Sequence, residues 1–511
     1  MLKRSRVLAS AAVVAVMTGL GAPAWAETLQ DAIALAYRTN PNLLAQRANQ
    51  RALDETVVQA RSGLRPTIGA SAGVDYTRSD FPAVTQFVDT NGDGIPDTQV
   101  TTSSSETEGA NVGVSVSQNV WTAGRTSRAI DQARASVLAG RENLREIEQS
   151  VMLSVIQAYV NVTRDMEILR IRQENLTVLQ RQLEETSARF EVGEITRTDV
   201  AQAEASQAQS EADLANAQAQ LSTSRAAYAA VVGQSPADLE AAPVLPEVPS
   251  DFDVAIETAL QRNPAVLAAT YQLQSAEAAV AAARSEYLPS VRATASYGGS
   301  TNDLGDLGEL ADRRSFTAGA TLSVPLFTGG LNRSRVAQAL ERANAAQIGI
   351  EGERRTVLQN VSSAYAQVLS TRATVAAGTE AVRAASVAAE GVRQEAQVGL
   401  RTTLDVLNQE LALRNAQTSV ASARAAEYVA RASLLAAMGQ LEGPVLNPTI
   451  EAYDPAANYD QVKGRGGLPW DGVIETLDRV ASPPIVTTPD TADAPIDAQL
   501  KFEVVRTAPQ N

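Results

Sequence analysis

The sequence is two copies of one unit. Ala32-Ile33 and Asn40-Pro41 recur as Ala255-Ile256 and Asn263-Pro264 at an offset of 223, and the same offset carries Ala60-Arg61-Ser62 onto Ala283-Arg284-Ser285 and Pro66 onto Pro289. Further on the offset becomes 206. Trp121-Thr122-Ala123-Gly124 falls on Phe327-Thr328-Gly329-Gly330, Ala158-Tyr159 on Ala364-Tyr365, Val192-Gly193 on Val398-Gly399, Asp199-Val200 on Asp405-Val406, and Gly233 on Gly439. Self-similarity at a fixed offset marks a repeated supersecondary unit, so whatever one copy folds into the other must adopt as well. The copies run over residues 27–233 and 251–439, and the 17 residues separating the two offsets all lie between Tyr76 and Asn111.

Each unit reads as helix, strand, loop, strand, long helix, turn, helix. Residues 125–190 lack proline and hold one glycine, Gly140, while Val155, Val162, Leu169, Leu176, Leu183 and Phe190 recur every seven residues. Val361, Val368, Val375, Val382, Ala389 and Ala396 repeat the stripe in the second copy. A sustained seven-residue period means helices supercoiled against neighbours. At 1.5 Å per residue such a helix extends about 100 Å. The flanking helices, expected over 27–62 and 198–233, are each about half as long, so two end to end match one long helix.

Between the helices the period changes to two, which is the signature of strands. Pro66 and Pro289 stop the first helices. In 111–120, Val112, Val114, Val116 and Val120 alternate with Asn111, Gly113, Ser115, Ser117 and Asn119; in 316–324, Phe316, Ala318, Ala320, Leu322 and Val324 alternate with Thr317, Gly319, Thr321 and Ser323. Residues 67–76 and 290–297 supply two shorter strands. Ten residues of such alternation fit a transmembrane barrel strand with an apolar outside and a polar lumen, and equally a half-buried strand of a soluble sheet.

Composition narrows the function classes. Among 511 residues there is no cysteine and no histidine, which removes thiol nucleophiles, the common soft-metal sites and histidine acid–base pairs. No Walker-type phosphate loop occurs either, so an enzyme is not expected. Lys3, Arg4 and Arg6, the apolar run from Val7 to Leu20 and Ala24-Trp25-Ala26 form a secretory signal peptide over residues 1–26. Removing its three basic residues takes the formal charge from −15 to −18, the wrong sign for a nucleic-acid binder. No later segment is apolar enough for a membrane-spanning helix. An exported chain that enters a membrane must then do so with strands, and because open edges are not tolerated in lipid, four strands per chain require copies to share a barrel: eight strands from a dimer or twelve from a trimer.

With these features the chain resembles the TolC family of outer-membrane channel-tunnels over about residues 28–445. The resemblance rests on the duplication, the Asn-Pro of each first helix, Arg61 to Arg65-Pro66, Pro-Leu-Phe-x-Gly-Gly at 325–330, and above all Phe190-Glu191-Val192-Gly193 through Asp199-Val200 and Val398-Gly399-Leu400-Arg401 through Asp405-Val406-Leu407. It implies an α+β membrane protein of the Gram-negative outer membrane: a homotrimer with a shared twelve-stranded barrel in outer-membrane lipid, continued by a helical barrel across the periplasm. The same resemblance implies partners, namely a periplasmic adaptor and an inner-membrane ABC transporter for type I protein secretion, or an RND pump for multidrug efflux. The missing lipidation cysteine and the long C-terminal tail lean towards secretion. A coiled-coil structural or adhesive protein would explain the heptads and leave the paired strands unexplained.

The resemblance also assigns roles at the helix tips. Asp405 maps onto an acidic ring that constricts the tunnel mouth, whose second acidic position is Asn408 here, and three facing carboxylates would favour cations. Arg401 maps onto a gate residue that bonds the neighbouring tip, where the corresponding groups are Thr198 and Asp199; the family's gate tyrosine falls at Ala396 and is missing. Asp199 and Asp405 also read as caps of the second helix of each hairpin, a role that can coexist with the first. Val192, Gly193 and Glu194, with Val398, Gly399 and Leu400, match the turns that meet the adaptor.

Two segments fall outside the repeat. Asp89, Asn91, Asp93 and Asp97 carry oxygen ligands at positions 1, 3, 5 and 9 of a calcium-like loop with Gly94 at position 6, although position 12 is Val100 rather than glutamate. Calcium here competes with a plain polar loop, and no other cofactor is expected. In the tail, 447–511, Tyr453, Tyr459 and Trp470 are expected to pack on the middle of the tunnel, and Pro483-Pro484 through Pro495 reads as unstructured.

Overall fold

The computed structural model describes residues 27–82, 84–88, 92, 94, 97–101 and 104–486. The signal-peptide segment 1–26 and residues 487–511 lie outside this set, as do Asp89, Asn91 and Asp93 of the calcium-like loop; of Asp97 only the backbone is described.

The elements follow the duplicated order. The first copy runs α1 (Leu29–Thr39), α2 (Pro41–Ser62), β1 (Thr67–Asp80), β2 (Val84–Val88), β3 (Asp97–Thr101), β4 (Ser104–Trp121), α3 (Arg125–Glu191) and α4 (Arg197–Val232). The second runs α5 (Phe252–Arg262), α6 (Pro264–Ser285), β5 (Ser290–Thr301), α7 (Glu309–Asp312), β6 (Arg314–Ser323), α8 (Leu331–Gln397) and α9 (Thr403–Ala437). Three short helices complete the tail: α10 (Gly443–Leu446), α11 (Pro455–Val462) and α12 (Asp471–Asp478). Both long helices have 67 residues.

The first helix of each copy is broken rather than continuous. Asn40 has extended backbone and its side chain accepts from the N–H groups of Asn42 and Leu43, with Pro41 in the first turn; Asn263 and Pro264 do the same for α6. Proline at the start of a helix costs nothing because its missing N–H would be unpaired there anyway. The Asn-Pro pair therefore starts a second helix where the sequence suggested one 36-residue rod.

The long-helix stripe is only partly covered within one chain. Val155 and Val162 are buried, Leu169, Leu176 and Leu183 are half-buried, and Phe190 is exposed; in α8 Val361, Val368, Ala389 and Ala396 are buried.

Two compact units can be described separately. One comprises Ser154–Leu245 and Thr374–Val429 with residues 27–38. The other comprises Thr39–Leu153, Pro246–Ala373 and residues 430–486, and it holds every strand. One core cluster there is built from Ala255, Ile256, Val266, Val361, Leu434 and Met438 among others, as a chain poor in aromatics requires.

The four long strands form one antiparallel sheet in the order β1-β4-β5-β6, and β2 and β3 pair separately as a hairpin within the extra residues of the first copy. Three of the strands reach beyond their expected ends, and β6 starts two residues early and stops one residue short. The register aligns the alternation across the sheet. Ile68, Val116, Ala295 and Ala318 form one row, and Ala70, Val114, Tyr297 and Phe316 the next. The opposite face carries Gly69, Ser115, Ser296 and Thr317, then Thr67, Ser117, Thr294 and Gly319. Because side chains alternate with a period of two, one face is apolar along its middle rows, with charged residues such as Arg78, Glu106 and Arg314 towards one end, and the other is mostly small and polar. The apolar face is exposed, with Ile68, Val74, Tyr76, Phe316 and Leu322 all on the surface. Among the described residues, β1 and β6 are unpaired edges.

The tail closes over the first copy at the foot of the sheet. Asn458 donates to the buried Asp54 of α2, and the guanidinium groups of Arg47 and Arg141 lie 4.7 and 5.6 Å from the rings of Tyr453 and Tyr459. Arg65, just before β1, pairs with Asp471 at 2.9 Å. Asp478 is fully buried at the start of α3: its Oδ1 accepts from the Thr122 N–H (2.5 Å) and hydroxyl (2.7 Å), and its Oδ2 from the Ser127 N–H (3.1 Å) and hydroxyl (2.7 Å). Trp470 corrects an expectation, since it is exposed rather than packed.

Candidate functional site

The repeated tips lie in the helical unit, and the sequence dictates both turns. At the end of α3, Gly193 has φ +78°, its N–H donates to the Phe190 carbonyl, and the Glu194 N–H reaches back to the Arg189 carbonyl at 2.9 Å. At the end of α8, Gly399 has φ +80°, donating to Ala396, and Leu400 reaches back to Glu395 at 2.9 Å. These are paired six-to-one and five-to-two bonds around a left-handed residue, a position glycine adopts without steric cost. Each turn is braced by an ion pair. Arg189 binds Glu194 at 3.1 Å, and Glu395 binds Arg401 at 2.8 Å. Arg189 and Glu395 are equivalent positions, so the two tips carry the brace with its charges reversed.

The next helices begin with identical capping boxes. The Thr196 N–H (3.0 Å) and hydroxyl (2.7 Å) donate to Asp199 Oδ2, while the Asp199 N–H donates back to the Thr196 hydroxyl. Thr402 and Asp405 repeat this at 3.1 and 2.9 Å. Two otherwise orphaned donors are satisfied reciprocally at each helix start. The same bonds tune the acids. The Thr196 hydroxyl, then its N–H, holds Asp199 below the ordinary carboxylate value, and the Thr402 N–H, then its hydroxyl, does so for Asp405, with a smaller pull from Arg401. The capping reading of both aspartates is therefore realised within one chain.

The remaining predicted residues are placed as follows. Val192, Val398 and Leu400 are each more than seven-tenths exposed, presenting apolar side chains at both tips beside Gly193, Glu194 and Gly399. Arg401 bonds Glu395 of its own turn, not Thr198 or Asp199. Thr198 is exposed. Asn408 lines a groove of about 350 Å³ with Asn175, Ser210, Asp213, Leu404 and Leu411.

Sequence reasoning missed three buried features. Glu410 is nearly fully buried and pairs with Arg393 and Arg414, tying α8 to α9 just above the second tip. Glu27 is also buried; its carboxylate accepts from the Tyr228 hydroxyl (2.6 Å), Gln234 Nε2 (2.9 Å) and the Ala237 N–H (3.2 Å). Tyr159 donates to the Glu27 and Glu240 carbonyls at 2.9 and 2.8 Å, and burial, the largest cause, with the charge of Glu27 second, pushes its hydroxyl up to about 12. Tyr365, its equivalent, donates to the Ser250 carbonyl at 2.7 Å. Since Glu27 and Ser250 are themselves 223 apart, each long helix uses one tyrosine to hold the chain entering its own copy. The recurrence of Ala-Tyr was the available signal.

A sheet with one continuous apolar face and two open edges, joined to long helices ending in capped glycine turns, defines a channel protomer. Residues 32–234 and 255–440 match the outer membrane efflux protein family, and the chain belongs to that family. It is 33% identical over 472 residues to the outer membrane efflux protein BepC of Brucella suis, covering 92% of this chain and 97% of BepC. Against the outer membrane protein TolC of Vibrio cholerae identity is 28%, covering 84% of this chain and 94% of TolC. The alkaline protease secretion protein AprF of Pseudomonas aeruginosa is 25% identical, with 78% and 82% covered. Among solved structures, the open-state MtrE outer membrane channel of Neisseria gonorrhoeae superposes with a TM-score of 0.66 at 24% identity, covering 81% of this chain and 89% of MtrE. The protein is an outer-membrane channel and not an enzyme.

Proposed function

We propose that three copies of this chain form one outer-membrane duct, the exit component of a type I protein secretion system that docks with a periplasmic adaptor and an inner-membrane ABC transporter. The observation that carries the duct is the sheet: its apolar face is continuous across β1, β4, β5 and β6 and exposed, its other face is small and polar, and both edges are open. Lipid tolerates no open edge, so β6 of one copy pairs with β1 of the next, and three sheets of four strands close a barrel of twelve. Likeness to a protease secretion protein supports secretion. The second reading, multidrug efflux through an RND pump, is favoured by BepC, an efflux protein matched over nearly its whole length. Deleting the protein and comparing the secreted proteins with drug sensitivity decides between them: loss of an exported protein with unchanged drug sensitivity supports secretion, and the converse pattern overturns it.

At the tips, Asp405 from three copies forms the acidic ring, Asn408 weakens it relative to a double ring, and Arg401 holds the closed state with Thr198 and Asp199 of the adjacent tip. Val192, Gly193 and Glu194 with Val398, Gly399 and Leu400 form the adaptor surface. Exposed valine and leucine on rigid glycine turns support that role, because they offer apolar area with little ordering cost. Arg401→Ala is expected to raise the conductance of the closed channel in planar bilayers; an unchanged conductance removes Arg401 from the gate.

The depressed pKa of Asp405 sets a pH dependence. A carboxyl held below its ordinary value keeps its charge, and the cap that charge supports, above that range and loses both as pH falls through the lowered value. The Thr402 bonds oppose the upward push that three facing carboxylates exert on one another, and cation preference is expected to be lost only as pH falls through the value these bonds lower. Asp405→Asn should remove the preference at every pH, and a variant that keeps it places the filter elsewhere.

A further inference from the structure

The two copies turn the same corner from strand to long helix, yet among the described residues only the first corner is covered. In the first copy Trp121 donates its indole N–H to the Val480 carbonyl at 3.0 Å, Arg128 donates to the Pro483 carbonyl, and a Cβ added at Gly124 would come within 2.9 Å of the Ser482 Cα. In the second copy the equivalent Gly330 faces open space, and Leu326 and Phe327 are 92% and 90% exposed. The chain has one tail for two corners.

The tail itself leaves an apolar stripe uncovered. Val473 and Leu477 of α12, with Trp470 just before the helix and Val480 just after it, are exposed, and their spacing of three, four and three residues gathers them on one side, away from the buried Asp478. We propose that Leu326 and Phe327 of one copy pack against this stripe on the adjacent copy, so that each tail seals its own first corner and its neighbour's second.

Sheet topology brings the two patches together. The inference rests on the barrel reading above, in which β6 meets β1 of the next copy. Three antiparallel pairings in a row make β1 and β6 antiparallel to each other, so the Ser323 end of β6 lies beside the Thr67 start of its neighbour, about 4.8 Å away. Leu326 and Phe327 then leave the strand beside the neighbour's Arg65 and Pro66. That is where α12 begins, because Arg65 is tied to Asp471 and its Nη1 donates to the Arg465 carbonyl at 2.6 Å. The acids of α12 are already paired within their own chain, Asp471 with Arg65, Glu475 with Arg134 and Arg479, and Asp478 with Thr122 and Ser127, so what the stripe offers a neighbour is apolar area.

The absence of cysteine makes the test clean. In the full-length protein in its membrane, Phe327→Cys combined with Trp470→Cys is treated with a short bis-maleimide. Thr67→Cys paired in turn with Thr321→Cys, Leu322→Cys and Ser323→Cys reports barrel closure independently. The expected result is covalent dimers and trimers from the Phe327/Trp470 pair and none from either single variant. If an edge pair links and the Phe327/Trp470 pair does not, the docking is overturned while the barrel stands; if neither links, both fall. Brominated phospholipid that quenches a component of the emission missing from Trp470→Phe, with an edge pair linked, assigns the stripe to the bilayer and also overturns the proposal. Phe327→Ser, which leaves β6 intact, should lower the temperature at which the detergent-resistant oligomer dissociates, and Phe327→Leu should restore most of it.

Discussion

Asp478→Ala is expected to destabilise the protein by about 3 kcal/mol, from the loss of a helix cap worth up to about 2 and the stranding of a buried donor at about 1–3. The carboxylate is fully buried, and all four of its hydrogen bonds go to Thr122 and Ser127 at the start of α3. Alanine leaves the Thr122 and Ser127 N–H groups without an acceptor in a space closed to water. Denaturant unfolding of the purified oligomer, followed by intrinsic fluorescence, measures the loss. Asp460→Ala is the control: it removes an exposed pair with Lys463, and such pairs contribute less than about 1 kcal/mol. Equal effects from the two variants would mean that Asp478 does not hold the corner.

Val114→Arg should cost about 2–4 kcal/mol, and Ser115→Arg, one residue along, should cost almost nothing. Val114 sits between Ala70 and Tyr297 in the apolar rows, whereas Ser115 sits between Gly69 and Ser296 on the polar face. An arginine at the midplane of the lipid-facing side of a barrel carries that penalty, and a lumen substitution alters conductance instead. The comparison controls for position along the strand and for strand propensity, so only the face differs. Folding into lipid vesicles gives the first quantity and single-channel recording the second. If the two substitutions cost the same, the apolar face does not meet lipid.

Much of the architecture was legible because it rests on local pattern. The duplication located four strands and two hairpins, and Gly193, Gly399, Asp199 and Asp405 appeared where a turn and a helix start demand them. The break at Asn40 was readable in principle, since asparagine before proline is a strong helix start, but the apolar period continues across it and outweighed the breaker. The β2–β3 hairpin was hidden because the turn chemistry between its strands matched a metal loop. Contacts across hundreds of residues left no local trace: nothing near Asp478 announces that it caps a helix starting at Arg125, and nothing near Glu27 announces Tyr228. At the tips the sequence supplied the residues but left capping and gating both open, because one aspartate suits either; the single chain realises the cap.

On the proposed reading, in which the residue that caps α9 also sets the ion preference, Asp405 has an evolutionary consequence. One oxygen of Asp405 accepts both the N–H and the hydroxyl of Thr402 and so fixes where α9 begins. A substitution that removes the charge also loosens the helix start, and selection for a different ion preference meets a folding cost at this position. Neighbours without that duty are free to change. Asn408 is exposed and caps nothing among the described residues, so drift in permeability among related channels should be recorded there, one helical turn beyond the residue that cannot move.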